Sequence, residues 1–165
     1  MNNQVQAELK KIFNGRFSTS ESTRANYARG EDTYDPVLSK AVVFPETNEE
    51  VSKILSLCNE HKIPVVPFGT GTSLEGNVVG NDKGITISLE KMNKILSVNA
   101  EDFDCRVQAC VTKEQLNEYL REDGVFFPID PGANAAIGGM ASTSASGTMA
   151  VKYGTMKTVI TGLTV

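Results

Sequence analysis

A glycine-rich segment at residues 67–76 contains the residue types that can bind a pyrophosphate group. Gly69 and Gly71 permit backbone conformations that other residues avoid, and they leave the neighbouring amide groups unobstructed. Consecutive amides of this kind can converge on anionic oxygens without a cationic side chain. This segment, the first glycine loop, therefore predicts a phosphate site made mainly of main-chain donors. Hydroxyl groups add further donors at Thr70, Thr72 and Ser73.

Two common phosphate-binding motifs do not match this loop. Gly71 and Gly76 have the spacing of a P-loop, but Asn77 and Val78 follow where that motif needs Lys and then Ser or Thr. Leu74 stands at the position of the third glycine of the Rossmann fingerprint. The loop therefore indicates neither Walker-type nucleotide hydrolysis nor Rossmann-type dinucleotide binding.

A second segment rich in small residues, the second glycine loop, spans residues 131–154. Its Gly, Ala, Ser and Thr residues are too small to build a core, and they let a backbone approach a ligand closely. A flat ring system could lie against such a backbone. A tight turn explains either loop alone about as well as binding does. The presence of both loops in one small chain favours a binding role.

Other reactive side chains are assigned no chemistry. Cys58 lies on the apolar stripe of a predicted helix, where a thiol is usually a small core residue. His61, the single histidine, stands near the end of that helix. Carboxylates beside the loops cap turns more often than they transfer protons, and of these Glu75 is kept as a candidate while Asp130 is not. Cys105 and Cys110 are likewise assigned no chemistry. No metal site is predicted, and no residue is assigned a catalytic role.

The elements that must position the first loop are a strand, a helix and a second strand. The apolar run 41–44 predicts the first strand, and Thr47 with Glu50 predicts a capping box that begins the helix. Residues 65–68 predict the next strand. A crossover of this kind places the first glycine loop at the carboxyl end of a parallel strand, where ligands usually bind.

Further elements follow along the chain. Residues 85–89 predict another strand, and 95–98 with 105–111 predict a hairpin-like pair. Thr112 and Gln115 predict a second capping box, before a helix whose buried face is expected to contain Leu116, Tyr119 and Leu120.

The two ends of the chain are interpreted differently. Residues 1–35 are polar and are expected to form an arm that includes a helix over 5–13. Residues 158–165 predict an exposed strand, which would leave backbone groups unpaired. We therefore expect either further sequence downstream or pairing of that strand with a second copy or a partner chain.

Composition excludes several classes of protein. The 165 residues are 40% hydrophobic and 22% charged, as in ordinary globular domains. A net charge of -4 without a basic stripe argues against nucleic-acid binding. No apolar run approaches the length of a membrane span, and the start lacks the apolar stretch of a secretory signal. The expected location is cytoplasmic.

Four stretches of the sequence resemble the FAD-binding domain of the vanillyl-alcohol oxidase and p-cresol methylhydroxylase superfamily. The likeness is closest to the D-lactate dehydrogenase and glycolate oxidase flavoprotein-subunit family, and it runs from near Tyr27 to the C-terminus. The stretches are 41–45 with 49–51, the loop 67–76, the run 127–132, and 138–140 continuing through 153–156.

This resemblance implies an α+β fold in which a small parallel βαβ subdomain precedes part of a second, mixed or antiparallel sheet subdomain. Residues 36–165 would be the N-terminal portion of the FAD-binding domain, without its remainder or a cap domain. FAD would bind non-covalently, because the first loop has no histidine or cysteine for attachment. The residues implied to contact it are Pro67, Gly69, Thr70, Gly71, Thr72, Ser73, Pro131, Gly132, Gly138, Gly139, Ser142, Thr143, Ala145, Ser146, Gly147, Tyr153 and Gly154.

The resemblance also implies a reaction. The family oxidises a D-2-hydroxyacid, such as D-lactate or glycolate, to the 2-oxoacid by moving a hydride from C2 to the flavin. Its histidine and arginine residues for substrate lie beyond the matched stretches, so this chain alone is expected to be inactive. Two alternatives stay open: a non-catalytic subunit that needs a partner chain to bind FAD, and a fragment that folds as a structural module without FAD.

The sequence departs from the family pattern at two places. Ala109 and Cys110 stand where Pro-Gly is common, and Ser144 stands where Arg or Asn is usual. These departures concern the turn before Val111 and one polar contact to the cofactor.

Overall fold

The computed structural model describes residues 3–165, which divide into two compact units, one ending at Met92 and one spanning Asn93–Val165. The first unit contains three helices and four strands. Their bounds are α1 (Asn3–Ile12), β1 (Phe17–Ser18), α2 (Glu21–Asn26), β2 (Val42–Val43), α3 (Asn48–Glu60), β3 (Val65–Phe68) and β4 (Ile85–Ser88).

The strands of the first unit form one sheet in the order β1-β2-β4-β3. Strand β4 is parallel to both of its neighbours, with Val42 opposite Thr86 and Phe68 opposite Ser88, whereas β1 is antiparallel to β2. The predicted parallel arrangement around α3 is confirmed. The three parallel strands end at the same edge, and the first glycine loop leaves β3 there.

Helix α3 begins as the sequence predicts. The Thr47 side chain accepts a hydrogen bond from the Glu50 amide. The Glu50 carboxylate in turn accepts from the Glu46 amide and from the Arg16 guanidinium. Ile54, Leu57 and Cys58 then face the core.

The N-terminal segment contributes to the core of this unit, which corrects its interpretation as a polar arm. The predicted helix is present as α1, and Val5, Leu9 and Phe13 are fully buried. They pack with Ile54 and Ile85. The error has a physical reason, because three apolar side chains in a polar segment form a complete buried face when they recur at helical spacing.

The second unit begins with the predicted hairpin, made of β5 (Ile95–Asn99) and β6 (Asp104–Val107). Helix α4 (Lys113–Leu120) starts at Thr112, whose side chain accepts from the Gln115 amide, and a 3-10 turn (Arg121–Asp123) ends at the left-handed Gly124. Leu116 and Leu120 are buried as expected, but Tyr119 is 58% exposed, which corrects its placement on the buried face.

The small-residue segment is helical rather than an extended loop. It contains α5 (Ile137–Ser142) and α6 (Ala150–Tyr153), and α7 (Met156–Val159) follows. It also builds a small core, since Met140 and Met156 are buried against Ile129. A core does form here, because Met140 of this segment fills the space among the small side chains together with Ile129 and Met156, which flank the segment.

The predicted C-terminal strand is wrong. The backbone amide of Thr155 donates to the Thr158 hydroxyl, which donates to the Thr155 carbonyl, and these bonds begin the helical turn α7. The turn buries Met156, which outweighs the strand preference of the Thr-Val-Ile run. Residues 160–165 have no regular secondary structure.

Candidate cofactor-binding site

Gly71 is the residue of the first glycine loop whose conformation requires glycine. Its φ is +76°, and a methyl group added there would lie 2.8 Å from the Phe68 ring. A left-handed backbone and this close approach both exclude a side chain. Around Gly71, Gly69, Thr72 and Ser73 are half-buried, and Thr70 and Pro67 are exposed.

The loop holds main-chain donors that the fold does not use. Among the described residues, none accepts a hydrogen bond from the amides of Gly71, Thr72, Ser73 or Leu74. The loop lies at the carboxyl edge of the parallel strands, where Gly71 is buried, Thr72 and Ser73 are half-buried and Leu74 is exposed. We therefore expect the amides of Thr72, Ser73 and Leu74 to be the donors that an external anion reaches. A pyrophosphate with several acceptor oxygens fits a run of unpaired amides of this kind.

The segment from Tyr27 to Tyr34 packs against the loop, and sequence reasoning missed it. Tyr27 makes edge contacts with Phe44, which follows β2, and with Phe68, which ends β3. Its hydroxyl donates to Glu90, which follows β4. The Glu31 amide donates to the Gly71 carbonyl oxygen at 2.9 Å. A signal was present at Asp32, since an Asp side chain favours a turn in which it accepts from the amide two residues further on, here that of Tyr34.

In the second unit, several small residues are required by packing within the unit. A methyl group at Gly138 would lie 2.8 Å from the Ala109 carbonyl oxygen, and one at Gly147 would lie 2.0 Å from that of Asp130. Ala145 packs against the buried cluster that contains Ile129, Met140 and Met156. These predicted cofactor residues therefore have a structural role of their own, whether or not they also touch a ligand.

The remaining predicted residues of the second loop are mostly at the surface. The Ser142 and Thr143 hydroxyls donate to the Gly138 and Gly139 carbonyls, so their protons are used within α5. Tyr153 is half-buried and makes an edge contact with Phe126. Gly154, at φ +82°, is also half-buried, and the exposed members are Pro131, Gly132, Gly139, Ser142, Thr143 and Ser146.

Asp130 caps the turn that begins the second loop. Its carboxylate accepts from the Lys113 ammonium at 2.7 Å and from the Gly132 amide at 3.2 Å. The Lys113 hydrogen bond, and then that of Gly132, lower the pKa of Asp130 below its ordinary value. Asp130 therefore caps this turn, as its place in the sequence suggests, and its two partners favour the ionised carboxylate.

Both departures from the family pattern are accommodated by the fold. The Val111 amide donates to the Gln108 carbonyl, so the turn before Val111 closes without glycine at Cys110. Ser144 has a φ of +52°, which is the left-handed region that Asn tolerates better than Ser. The usual Asn at that position thus has a conformational explanation.

The cysteines, the histidine and Glu75 lie in different surroundings. Cys58 is buried, and burial raises the pKa of its thiol, which keeps it protonated and unreactive. Cys105 is exposed and Cys110 is buried, while His61 ends α3. Glu75 is exposed on the loop. In residues 3–165, no three His, Cys, Asp or Glu side chains are grouped to hold a metal ion.

A comparison with protein families matches the model of an FAD binding domain to residues 39–165. The chain belongs to the FAD binding domain family. FAD is thus the cofactor, as the sequence predicted, and the unused amides of the first glycine loop are suited to its pyrophosphate. Which residues touch FAD stays a prediction.

A curated relative of this family member is "Probable D-lactate dehydrogenase, mitochondrial" of Danio rerio, 45% identical over 148 residues. The match covers 90% of this chain and 30% of the relative, so the chain spans less than a third of that protein's length. This finding confirms the resemblance to the D-lactate dehydrogenase family.

Solved structures confirm the predicted fold type. Alkyldihydroxyacetonephosphate synthase superposes with a TM-score of 0.86 at 22% identity, covering 95% of this chain and 32% of that one. p-Cresol methylhydroxylase superposes with a TM-score of 0.72 at 22% identity, covering 87% and 29%. At this identity the likeness concerns the fold. No helix within residues 3–165 is long and apolar enough to cross a bilayer.

Proposed function

We propose that this chain is the FAD-binding portion of an enzyme that oxidises a D-2-hydroxyacid, with D-lactate as the first candidate and glycolate as the second. The observation that carries the proposal is the run of unused amides from Gly71 to Leu74 in a chain of the FAD binding domain family. The name of the Danio rerio relative supports D-lactate.

The residues of this chain bind and orient rather than react. The amides of Thr72, Ser73 and Leu74 hold the pyrophosphate, and no cationic side chain is needed because several main-chain dipoles share the charge. Residues of the second glycine loop are assigned to the cofactor by the family resemblance alone. Binding is non-covalent, since the first loop contains no histidine or cysteine.

Bound FAD would supply a two-electron acceptor for the hydride at C2 of the hydroxyacid, whose hydroxyl proton goes to a base. The product is the 2-oxoacid, and the electrons pass to a second acceptor. We place the base and the carboxylate anchor outside these 165 residues, because the family resemblance assigns these roles to a histidine and an arginine that lie beyond the matched stretches. The chain alone is therefore expected to turn over no D-lactate.

The test is titration of the chain with FAD, followed by flavin fluorescence. Gly71→Val is expected to raise the Kd at least about tenfold, because the side chain meets Phe68 and the left-handed backbone is lost. Gly162→Ala is the matched control, since no atom lies within 4 Å of the added methyl group. Thermal melting of each variant shows whether it folds.

Three results would count against the proposal. Equal FAD affinity of the Gly71→Val and wild-type chains would remove the first glycine loop from the cofactor site. A wild-type chain that binds no FAD would favour the alternative, a module that needs a partner chain. Turnover of D-lactate by the isolated chain would contradict the placement of the catalytic groups elsewhere.

A further inference from the structure

We propose that Gly30 and Asp32 are positioning residues that aim the amides of Thr72 and Leu74 at the cofactor's pyrophosphate. This inference rests on the proposed FAD-binding role of the first glycine loop. Both residues lie before residue 39, where the match to the family model begins.

Two carbonyl groups of the first glycine loop lie against Gly30 and Glu31. The Glu31 amide donates to the Gly71 carbonyl oxygen at 2.9 Å. A methyl group on Gly30 would lie 2.5 Å from the same oxygen and 2.9 Å from the Ser73 carbonyl oxygen. Both carbonyls therefore point toward the Gly30–Glu31 backbone.

The planar peptide unit fixes the direction of the amide that is bonded to each of these carbonyl groups. All peptide bonds described are trans, so the N–H of each peptide unit points opposite to its carbonyl. The Gly71 carbonyl shares its unit with the Thr72 amide, and the Ser73 carbonyl shares its unit with the Leu74 amide. Because both carbonyls face Gly30, both amides are turned away from it. They point out of the packed side of the loop as free donors.

The Asp32 carboxylate keeps Gly30 and Glu31 in place. Asp32 is buried, with 7% of its surface exposed, and its carboxylate accepts from the Gly30 amide at 3.1 Å and the Tyr34 amide at 3.0 Å. The Tyr34 ring covers Gly76 at the far end of the loop, where an added methyl group would lie 2.8 Å from the ring. The carboxylate thus closes a turn whose two ends touch the start and the end of the loop.

Donors that are already aimed need no reorganisation when an anion binds, which is why their direction affects affinity. Gly30 is required because any side chain would push the Gly71 and Ser73 carbonyls away. Asp32 is required because its carboxylate accepts from the amides of both Gly30 and Tyr34. Neither residue touches the pyrophosphate, so both act through the loop.

The experiment compares the wild-type chain with Gly30→Ala, Asp32→Ala and Asp32→Asn. Fluorescence titration measures the Kd for FAD, and amide NMR follows Thr72 and Leu74 during titration with inorganic pyrophosphate. Gly30→Ala and Asp32→Ala are expected to raise the Kd at least about tenfold and to abolish the pyrophosphate-induced shifts of these two amides. Asp32→Asn keeps an acceptor oxygen and is expected to retain most of both responses.

The controls separate this inference from the proposed function. Gly162→Ala, an open position outside the loop, should leave Kd and amide shifts unchanged. Melting curves report folding, and Asp32→Ala, which alters a turn rather than the apolar core, gives the answer if Gly30→Ala does not fold. A wild-type chain that binds FAD, together with variants that match it in Kd and amide shifts, overturns the positioning role alone. A wild-type chain that binds neither FAD nor pyrophosphate overturns both.

Discussion

Glu50 shows how strongly one ion pair can perturb a carboxylate. It forms two hydrogen bonds with the Arg16 guanidinium, at 2.6 and 2.5 Å, and it stands in the first turn of α3, where the helix dipole also favours negative charge. The Arg16 hydrogen bonds lower the pKa of Glu50 from 4.5 to about 2. The pair joins the turn after α1 to the start of α3.

The sign of this shift predicts the dependence of stability on pH. A carboxylate with a lowered pKa stabilises the fold fully above its ordinary pKa, and the contribution is lost as pH falls from about 5 toward 2. With screening at this partly exposed site, the loss is on the order of 2 kcal/mol. Urea unfolding at several pH values should show it, and Glu50→Gln should flatten the curve.

Glu60→Gln is the control for this prediction, since Glu60 is an exposed residue of the same helix. The same acid-induced loss in Glu50→Gln as in the wild-type chain would show that Glu50 is not its source.

Ser144 carries a backbone conformation that its side chain disfavours, with φ at +52° on an exposed turn. Ser144→Gly is expected to stabilise the second unit by about 0.5–1 kcal/mol, because glycine adopts the left-handed region without the steric cost. Chemical denaturation followed by circular dichroism measures this change. Ser146→Gly, at a neighbouring position without positive φ, should give no stabilisation; equal gains in both variants would contradict the explanation.

Helix α3 depends on a cap that local sequence specifies. The Thr47 hydroxyl accepts from the Glu50 amide, which would otherwise lack a partner in the first turn. The cap directs the face containing Ile54 and Cys58 toward the sheet. The cap therefore fixes the residue at which α3 begins between β2 and β3.

Removal of this cap gives a prediction for the element. Thr47→Ala should destabilise the chain by about 1 kcal/mol, whereas Thr47→Ser, which keeps the hydroxyl, should cost much less. Thermal melting of both variants distinguishes them. A Ser variant as unstable as the Ala variant would mean that the methyl group, rather than the cap, is responsible.

The N-terminal helix is an integral part of the first unit. Leu9 and Phe13 are completely buried among residues of α3 and β4, although they come from a segment of polar composition. A chain without this segment would expose the apolar face of the sheet on which the first glycine loop depends. The loop and the helix are therefore linked through one core.

Leu9→Ala tests this link and is expected to cost about 2–5 kcal/mol, the range for truncating a buried leucine. Ile12→Ala is the matched control on the same helix, because Ile12 is 42% exposed and should cost far less. Denaturant unfolding provides both values. Similar small losses for the two variants would restore the interpretation of residues 1–35 as an arm.

Local signals predicted much of this protein. Hydrophobic runs and caps predicted α3, α4, the parallel strands and the hairpin, because capping and strand formation depend on neighbouring residues. The family motifs predicted FAD and the fold type, which the comparisons confirm. The residues assigned to the cofactor stay a prediction, as does the cytoplasmic location.

The sequence by itself determined where α1, α3, α4, the parallel strands and the hairpin form, and which loop is rich in glycine, since these follow from residue types a few positions apart. Tertiary structure decided that α1 enters the core, that residues after Thr155 turn into a helix, and that Gly30 and Asp32 lie against the first glycine loop. The contacts of α1 and of Gly30 join residues about forty or more positions apart, as Glu31 and Gly71 are, and Met156 packs against Ile129 and Met140. No pattern of neighbouring residues encodes contacts at these separations.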